Sequence, residues 1–498
     1  MPDRLPPPSF SDLRLRALNG APLNPDGDYV LYWMVAARRT AWNFALQRAA
    51  EIARALGVGL LVFEPLRCDY PYASDRLHRF ILEGMADNAA ALADSCACYL
   101  PYVEPEKGAG RGLLAALAQH ACMVVSDDFP CFFIPRMQQA AARQLPVRLE
   151  LVDGNGLLPM AAADKDYPTA YAFRRLLHKA LPAFIDDRPA ADPLQGLNLP
   201  GAVIPSGVPK RWPAADLKAL LRPGALAALP IDHGVGPVAT RGGSRAALAC
   251  WRGFLNRRLA DYPEARNIPD RDATSGLSPY LHFGHISVHQ IFTELATTEN
   301  WDSSRLPFKP TGKRAGWWRM SEAAEAFLDQ LVTWRELGYG FCRYRPDHAD
   351  YAGLPDWARA TLDEHRRDAR AYLYDGEQFE NAATHDPLWN AAQTQLVREG
   401  RLHGYLRMLW GKKILEWSAD PETALATMLR LNDRWALDGR DPNSISGISW
   451  CLGRFDRPWG PERPVFGKIR YMTSENTARK VAVRDYLSRY APQKERHP

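Results

Sequence analysis

A chain of 498 residues is too long for one ordinary core, so two or more domains are expected. With 46% hydrophobic and 24% charged residues it is globular rather than disordered, and no apolar run approaches the roughly 20 residues of a membrane span. The net charge of +5 is small overall, but it rises locally to +4 between Cys451 and Lys480, where seven Lys/Arg face three Asp/Glu.

The opening MPDRLPPPSF lacks the basic-then-apolar pattern of a secretory signal, so a cytoplasmic location is expected, or a nuclear one in a eukaryote. Residues 1–28, rich in Pro, Gly and Asp, read as a flexible arm. YVLYWMV is then a buried strand, NFALQRAAEIARALG an amphipathic helix ending at Gly57, GLLVFEP a second strand, and residues 75–94 a second long helix. ACMVVSDD, a further helical stretch and VRLELVDG continue the alternation. Such alternation predicts an α/β domain over 29–165, built on a doubly wound parallel sheet. No G-x-G-x-x-G follows the first strand, which argues against a dinucleotide dehydrogenase. The eight cysteines are scattered, and Cys96-Ala97-Cys98 has the wrong spacing for a zinc clamp, so no metal site is predicted.

Residues 166–240 hold one short helical segment, TAYAFRRLLHKAL, in a Pro- and Gly-rich passage and read as an interdomain linker. From 241 to 498 the periodicity is almost wholly helical, predicting an all-α domain. Within it, Thr274-Ser275-Gly276-Leu277-Ser278-Pro279 places hydroxyls and a glycine before a helix, with Ser278 as N-cap. That pattern suits either a diphosphate loop or an ordinary capped helix. His282, His285 and His289 share a helical face and read as metal ligands or as core histidines. His282-Phe283-Gly284-His285 also mimics the HxGH motif of class I aminoacyl-tRNA synthetases, although no KMSKS-like loop follows.

Arg407 and Asp438 are candidates for a charge-assisted pair beside a cofactor, or for a structural salt bridge. Trp410 and Trp417, two turns apart, share a face; with Trp389 they read as core packing or as a chain of oxidisable indoles. Tryptophans interleaved with Arg440, Arg457, Lys412 and Lys413 suit a redox cofactor, a nucleic acid, or both.

The order of these segments closely resembles the class II cyclobutane pyrimidine dimer photolyases. The matching stretches are Tyr262…Arg266, TSGLSPYLHFG, Trp334-Arg335-Glu336 with Phe341-Cys342, THDPLWNAAQ, HGYLRMLWGKKILEW, LNDRWALDGRDPN, GISW, DRPWG and FGKIRYM. The resemblance implies an N-terminal α/β antenna domain and a C-terminal helical FAD-binding domain. It implies light-driven repair of pyrimidine dimers in DNA by electron transfer from excited reduced FAD. A cryptochrome-like photoreceptor is the alternative. By the same likeness, FAD would be held by Tyr262, Thr274, Ser275, Gly276, Leu277, Ser278, Arg407, Asn432, Asp438 and Arg440, with Asn432 near the ring's N5. Trp410, Trp389 and, at the surface, Tyr374 would form the photoreduction relay, with Trp417 a bystander. Arg266, Trp334, Arg335, Met408, Trp450 and Trp459 would face DNA. A second antenna chromophore, a deazaflavin or a folate, stays unassigned, and a monomer acting without metal or membrane is expected.

The chain departs from the family pattern at several points. Gln330 stands where a glutamate normally bonds the dimer, Tyr339-Gly340 replaces Asp-Asn, and Ser444 replaces a glycine. The turn between Trp450 and Trp459 is one residue short, and Ala478-Arg479-Lys480-Val481 replaces the usual Gly-Cys-x-Arg-Lys-Phe tail.

Overall fold

The computed structural model describes residues 5–491; the first four residues of the expected arm and the last seven of the expected helical domain lie outside them. The chain divides into two compact units, neither of them one continuous stretch. The first comprises the described residues up to Asp164, Lys179–Gly253 and Gly276–Leu306. The second comprises Lys165–His178, Phe254–Ser275 and the described residues from Pro307 on.

The first unit is built on six strands: β1 (Leu15–Ala17), β2 (Tyr29–Trp33), β3 (Gly59–Leu66), β4 (Ala97–Val103), β5 (Ala121–Asp127) and β6 (Leu149–Val152). Their order is β1-β6-β5-β2-β3-β4, parallel throughout except for β1, which pairs antiparallel to β6. The predicted parallel sheet is therefore mixed at one edge. Leu15–Ala17, inside the stretch read as a flexible arm, is that edge strand. Alternation along β2 sends Val30 and Tyr32 to one face and Tyr29, Leu31 and Trp33 to the other. Each face has its own apolar core, with helix Phe44–Leu56 over the first and helix Leu113–Ala118 over the second. A sheet covered on both faces needs near-continuous apolar strands, which is why these segments were legible.

Helix Phe44–Leu56 follows its local signals. Asn43 caps it by accepting from the amides of Ala45 and Leu46, and Gly57 ends it at φ +68°. The loop before it explains the missing glycine fingerprint. Asp127, the last residue of β5, accepts from the amides of Val35, Ala36 and Ala37 at 2.9, 2.8 and 3.0 Å, and from the Tyr32 hydroxyl at 2.8 Å. A dinucleotide fold offers the amides after its first strand to a pyrophosphate. Here the chain's own carboxylate takes them.

Two of the three histidines, His285 and His289, are core residues, and His282 is half-buried against the Phe129 and Phe283 rings. His285 accepts from the Gly243 amide at 2.9 Å and stacks on Phe80, and His289 Nε2 donates to the Gly156 carbonyl at 3.1 Å. Burial, the main cause, pushes His285 down to about 3. Among the described residues no three His, Cys, Asp or Glu side chains group as a metal set.

The second unit is helical. Its core gathers around helix Gly404–Trp417, with helices Pro387–Glu399, Pro421–Trp435 and Pro442–Cys451 packed on it. Gly411 permits close approach, since a Cβ there would collide with Cys451 Sγ. No helix among the described residues is long and apolar enough to cross a membrane.

Asp127→Ala should strand three amides and a hydroxyl and cost roughly 3–5 kcal/mol of stability. Denaturant unfolding of the full chain measures this, and an unchanged midpoint would remove Asp127 from the role.

Candidate functional site

The site in the second unit is assembled from helix termini with strong local signals. Asp386 caps helix Pro387–Glu399 through the amides of Leu388 and Trp389, both at 3.0 Å, and Pro387 opens the first turn. Asp441 with Pro442 starts helix Pro442–Cys451 in the same way. These caps fix where Trp389 and Trp450 project.

Between helices Glu322–Leu328 and Arg335–Tyr344 the chain makes a π-helical turn, Asp329–Trp334. Such turns hold one more residue than an α-turn and recur at functional sites. Asp329 is buried and paired with Arg174 at 2.8 and 3.2 Å, and Leu331, Val332 and Thr333 are buried. Gln330 and Trp334 are left half-buried on the remaining face, and the Gln330 side chain takes no partner among the described residues. Trp334 stacks on Trp450, with ring centroids 4.6 Å apart and planes 19° apart.

Arg407, on the central helix, holds Asp438 through Nη2 at 3.2 Å to each carboxylate oxygen, with both side chains largely buried. Its Nη1 reaches Asn432 Oδ1 at 3.5 Å. Asn432 Nδ2 then donates to Ser444 Oγ at 2.6 Å and to Asp433 Oδ1 at 3.0 Å. A guanidinium can only donate and a carboxylate can only accept, so both ends of Asn432 agree on its orientation. Both amide hydrogens are used, and the free capacity is a lone pair on Oδ1. Ser444, a departure in the sequence, is thus part of what fixes Asn432.

Arg440 is buried and donates to the carbonyls of Asp433, Ala436 and Leu437, closing the end of helix Pro421–Trp435. That is a capping role. Tyr262 is buried between Phe254 and Phe327, both edge-on, with the Arg266 guanidinium 5.5 Å from its ring centre. Thr274 and Ser275 are half-buried in the second unit, and Gly276, Leu277 and Ser278 belong to the first. Ser278 is not the N-cap expected. Leu277 holds that position, and the helix after it spans only Ser278–His282.

Arg335 is likewise removed from the DNA-facing set. It is buried, lies 4.5 Å from the Tyr339 ring centre and donates to that hydroxyl at 3.1 Å. Arg266, Met408, Trp450 and Trp459 are half-buried. Trp459 is flanked by the Arg457 and Arg470 guanidiniums at 4.7 and 5.1 Å, and it borders a cavity of about 330 Å³ walled also by Arg463 and Lys480.

Trp410, Trp389 and Tyr374, the expected relay, belong to one series of rings that Trp417 also joins. Trp410 donates to Gln393 Oε1 and Trp389 to the Trp410 carbonyl, each at 3.0 Å. Trp417, read as a bystander, lies between Trp389 and Tyr374 with ring centroids 6.0 and 5.6 Å away. Tyr374 ends the series half-buried, its hydroxyl 2.7 Å from His385 Nδ1.

One residue was missed outright. His403 is buried at the start of the central helix, and neither ring nitrogen has a partner among the described residues. Burial, ahead of its charged neighbours Asp272 and Arg401, pushes it down to about 4, so it is neutral at pH 7. Its segment was quoted as a motif, yet nothing in its spacing marked the histidine. The oriented Arg407 guanidinium and the lone pair on Asn432 Oδ1 are polar groups of the kind that orient a bound ring system.

Against known proteins, no protein-family model matches the chain. The chain is 34% identical to the deoxyribodipyrimidine photo-lyase of Methanothermobacter thermautotrophicus, over 96% of this chain and 97% of that protein. It is 35% identical to that of Oryza sativa subsp. japonica, over 95% and 90%, and 33% identical to that of Potorous tridactylus, over 97% and 85%. A crystal structure of a bacterial class III photolyase from Agrobacterium tumefaciens superposes with a TM-score of 0.66 at 18% identity, covering 95% of this chain and 87% of that one, a likeness of fold.

His403 titrates near 6.5 when unfolded. Its folded value of about 4 means that stability present above that range is lost as pH falls from about 6.5 toward 4. His403→Gln should flatten this loss relative to the native chain in unfolding midpoints taken across those pH values. Parallel curves would show that the histidine is solvated.

Proposed function

The chain belongs to the deoxyribodipyrimidine photo-lyases, as its class II motif series led us to expect, and from that premise we propose that it repairs cyclobutane pyrimidine dimers in DNA with light. The observation that carries this reading is the half-buried Trp334–Trp450 stack beside Gln330 on the π-turn. A pair of indoles with one open side receives flat bases, and a dimer, which stacks poorly in a duplex, costs less to extrude than a normal pair.

The residues proposed to hold FAD are Tyr262, Thr274, Ser275, Arg407, Asn432 and Asp438. Held by these residues, reduced FAD would supply light-driven one-electron chemistry to the dimer. The Arg407 guanidinium stabilises negative charge on a neighbouring ring, and Asp438 fixes its direction. Asn432 offers Oδ1, an acceptor for a ring N–H. Gln330 donates an amide N–H to a dimer carbonyl at any pH, but unlike a glutamic acid it delivers no proton. Met408, Arg266 and Trp459 are proposed to line the DNA side. We assign the antenna role to residues 29–165 and catalysis to residues 241–498, with 166–240 as linker, although Gly276–Leu306 belongs to the first compact unit. Membership of this family sets the synthetase reading aside.

The test is an assay of dimer-containing DNA under blue light and in the dark, with the purified protein's visible spectrum. Repair in light alone is expected. A colourless protein would overturn the flavin reading, and flavin without repair would favour a photoreceptor.

A second expectation concerns the relay. We propose that Trp389, Trp417 and Tyr374 carry charge between the interior and the surface, so Trp417→Phe should slow photoreduction of oxidised FAD at least tenfold while sparing repair by chemically reduced enzyme. Transient absorption reads both, and an unchanged rate would restore Trp417 to bystander.

A further inference from the structure

Pro307–Ser321 contains Lys309, Lys313, Arg314 and Arg319 and no acidic residue, so fifteen positions hold four of the chain's net +5 charges. It has no helix or strand of its own up to the Ser321 cap of helix Glu322–Leu328. A loop of this length inside a compact unit is usually either disordered or functional. This one is anchored. The Trp317 indole stacks on His178, centroids 4.1 Å apart and planes 1° apart, and the Gly312 amide donates to His178 Nδ1 at 3.1 Å. Gly312 sits at φ +71°, where a Cβ would meet the Arg175 side chain at 2.7 Å and the Tyr171 ring at 2.9 Å. Glu325 accepts from the amides of Gly316 and Met320 at the other end.

On either side of the Gly312 anchor the loop turns its chemistry outward. Phe308 is fully exposed, Lys309, Lys313 and Arg314 are exposed, and none of the three cations has an acidic partner among the described residues. The anchor is also shared with the lesion-side helix. Helix Ala170–Ala180 supplies His178 to the loop and, one turn earlier, Arg174 to Asp329 at the head of the π-turn. The loop is therefore held in register with Gln330 and Trp334 through one rigid element.

We propose that this loop is a second DNA-contacting surface, distinct from the Trp334–Trp450 pocket. On this view Lys309, Lys313 and Arg314 grip backbone phosphates and Phe308 is an apolar wedge against bases. Three unpaired cations around one aromatic tip match a polyanion with flat rings. An anionic membrane would call for a broader apolar face, and Trp317 and Trp318 are buried rather than presented. The inference rests on the DNA-repair reading, but its contact is independent of damage.

The experiment measures binding of the full chain to undamaged and dimer-containing duplex over a series of salt concentrations. A Lys309→Ala, Lys313→Ala, Arg314→Ala triple variant should lower the slope of log affinity against log salt by about 2 to 3, since each phosphate contact contributes about 0.9. The loss should be equal on both DNAs, with repair per bound dimer unchanged at saturation. Phe308→Ala alone should weaken binding roughly fivefold without changing the slope. An unchanged slope in the triple variant, with native dimer binding intact, overturns the inference alone. Native protein that binds neither DNA overturns the repair reading instead. If the triple variant lost binding to phosphatidylserine vesicles but not to DNA, the surface would belong to a membrane and the inference would fail.

Discussion

A helix buried on nearly every side must find a partner for each polar atom it carries, and the second unit is organised by that requirement. Helix Gly404–Trp417 brings a guanidinium, two ammonium groups and the Trp410 indole N–H into the core. Lys412 Nζ donates to the Cys451 carbonyl at 2.6 Å, and burial pulls it down to about 8. Lys413 reaches Glu416, Trp410 reaches Gln393, and Arg407 reaches Asp438. Each partner comes from a different stretch of chain, or from the helix's own next turn. The cost of leaving any of these groups unpaired in a low dielectric ties the surrounding segments to one arrangement. The surfaces proposed to meet flavin and DNA follow from that arrangement.

The sequence carried the periodic part of the structure well. Strands buried on both faces and helices with Asn, Asp or Gly at their ends announce themselves. β4 went unread because Cys96-Ala97-Cys98 invited a metal question and Pro101 interrupts the run. β1 is three residues long and has no periodicity to show. The site residues were legible as types and misread as directions. Arg335 follows Trp334 in sequence, but one residue on a helix is a rotation of about 100°, enough to turn it inward. Trp417 was set aside by the family likeness, and spacing along one helix could not show that the Trp389 and Tyr374 rings come beside it. Ser444 looked like a lost glycine, and its hydroxyl proved to be a hydrogen-bond acceptor for Asn432.

The two units meet the need for anions and cations in opposite ways. In the first, Asp127 satisfies a nest of three backbone amides from within the chain. In the second, positive charge is kept open at Pro307–Ser321 and around Trp459. A modest net charge therefore says little about a partner. What matters is which charges the fold has already matched.

The π-turn at Asp329–Trp334 has a consequence for how this chain tolerates change in length. Its upstream end is pinned by Arg174, and downstream Tyr339 lies 3.4 Å from Asp441. A helix clamped at both ends that holds one residue too many has slack rather than a defect. Removing a single residue there would let the turn relax to ordinary α-helix with its flanks in place, whereas the same deletion one turn away would shear the packing. The width between Gln330 and Trp334 is thus encoded as surplus length. A lineage could narrow or widen the proposed lesion side by insertion and deletion without rewriting the core.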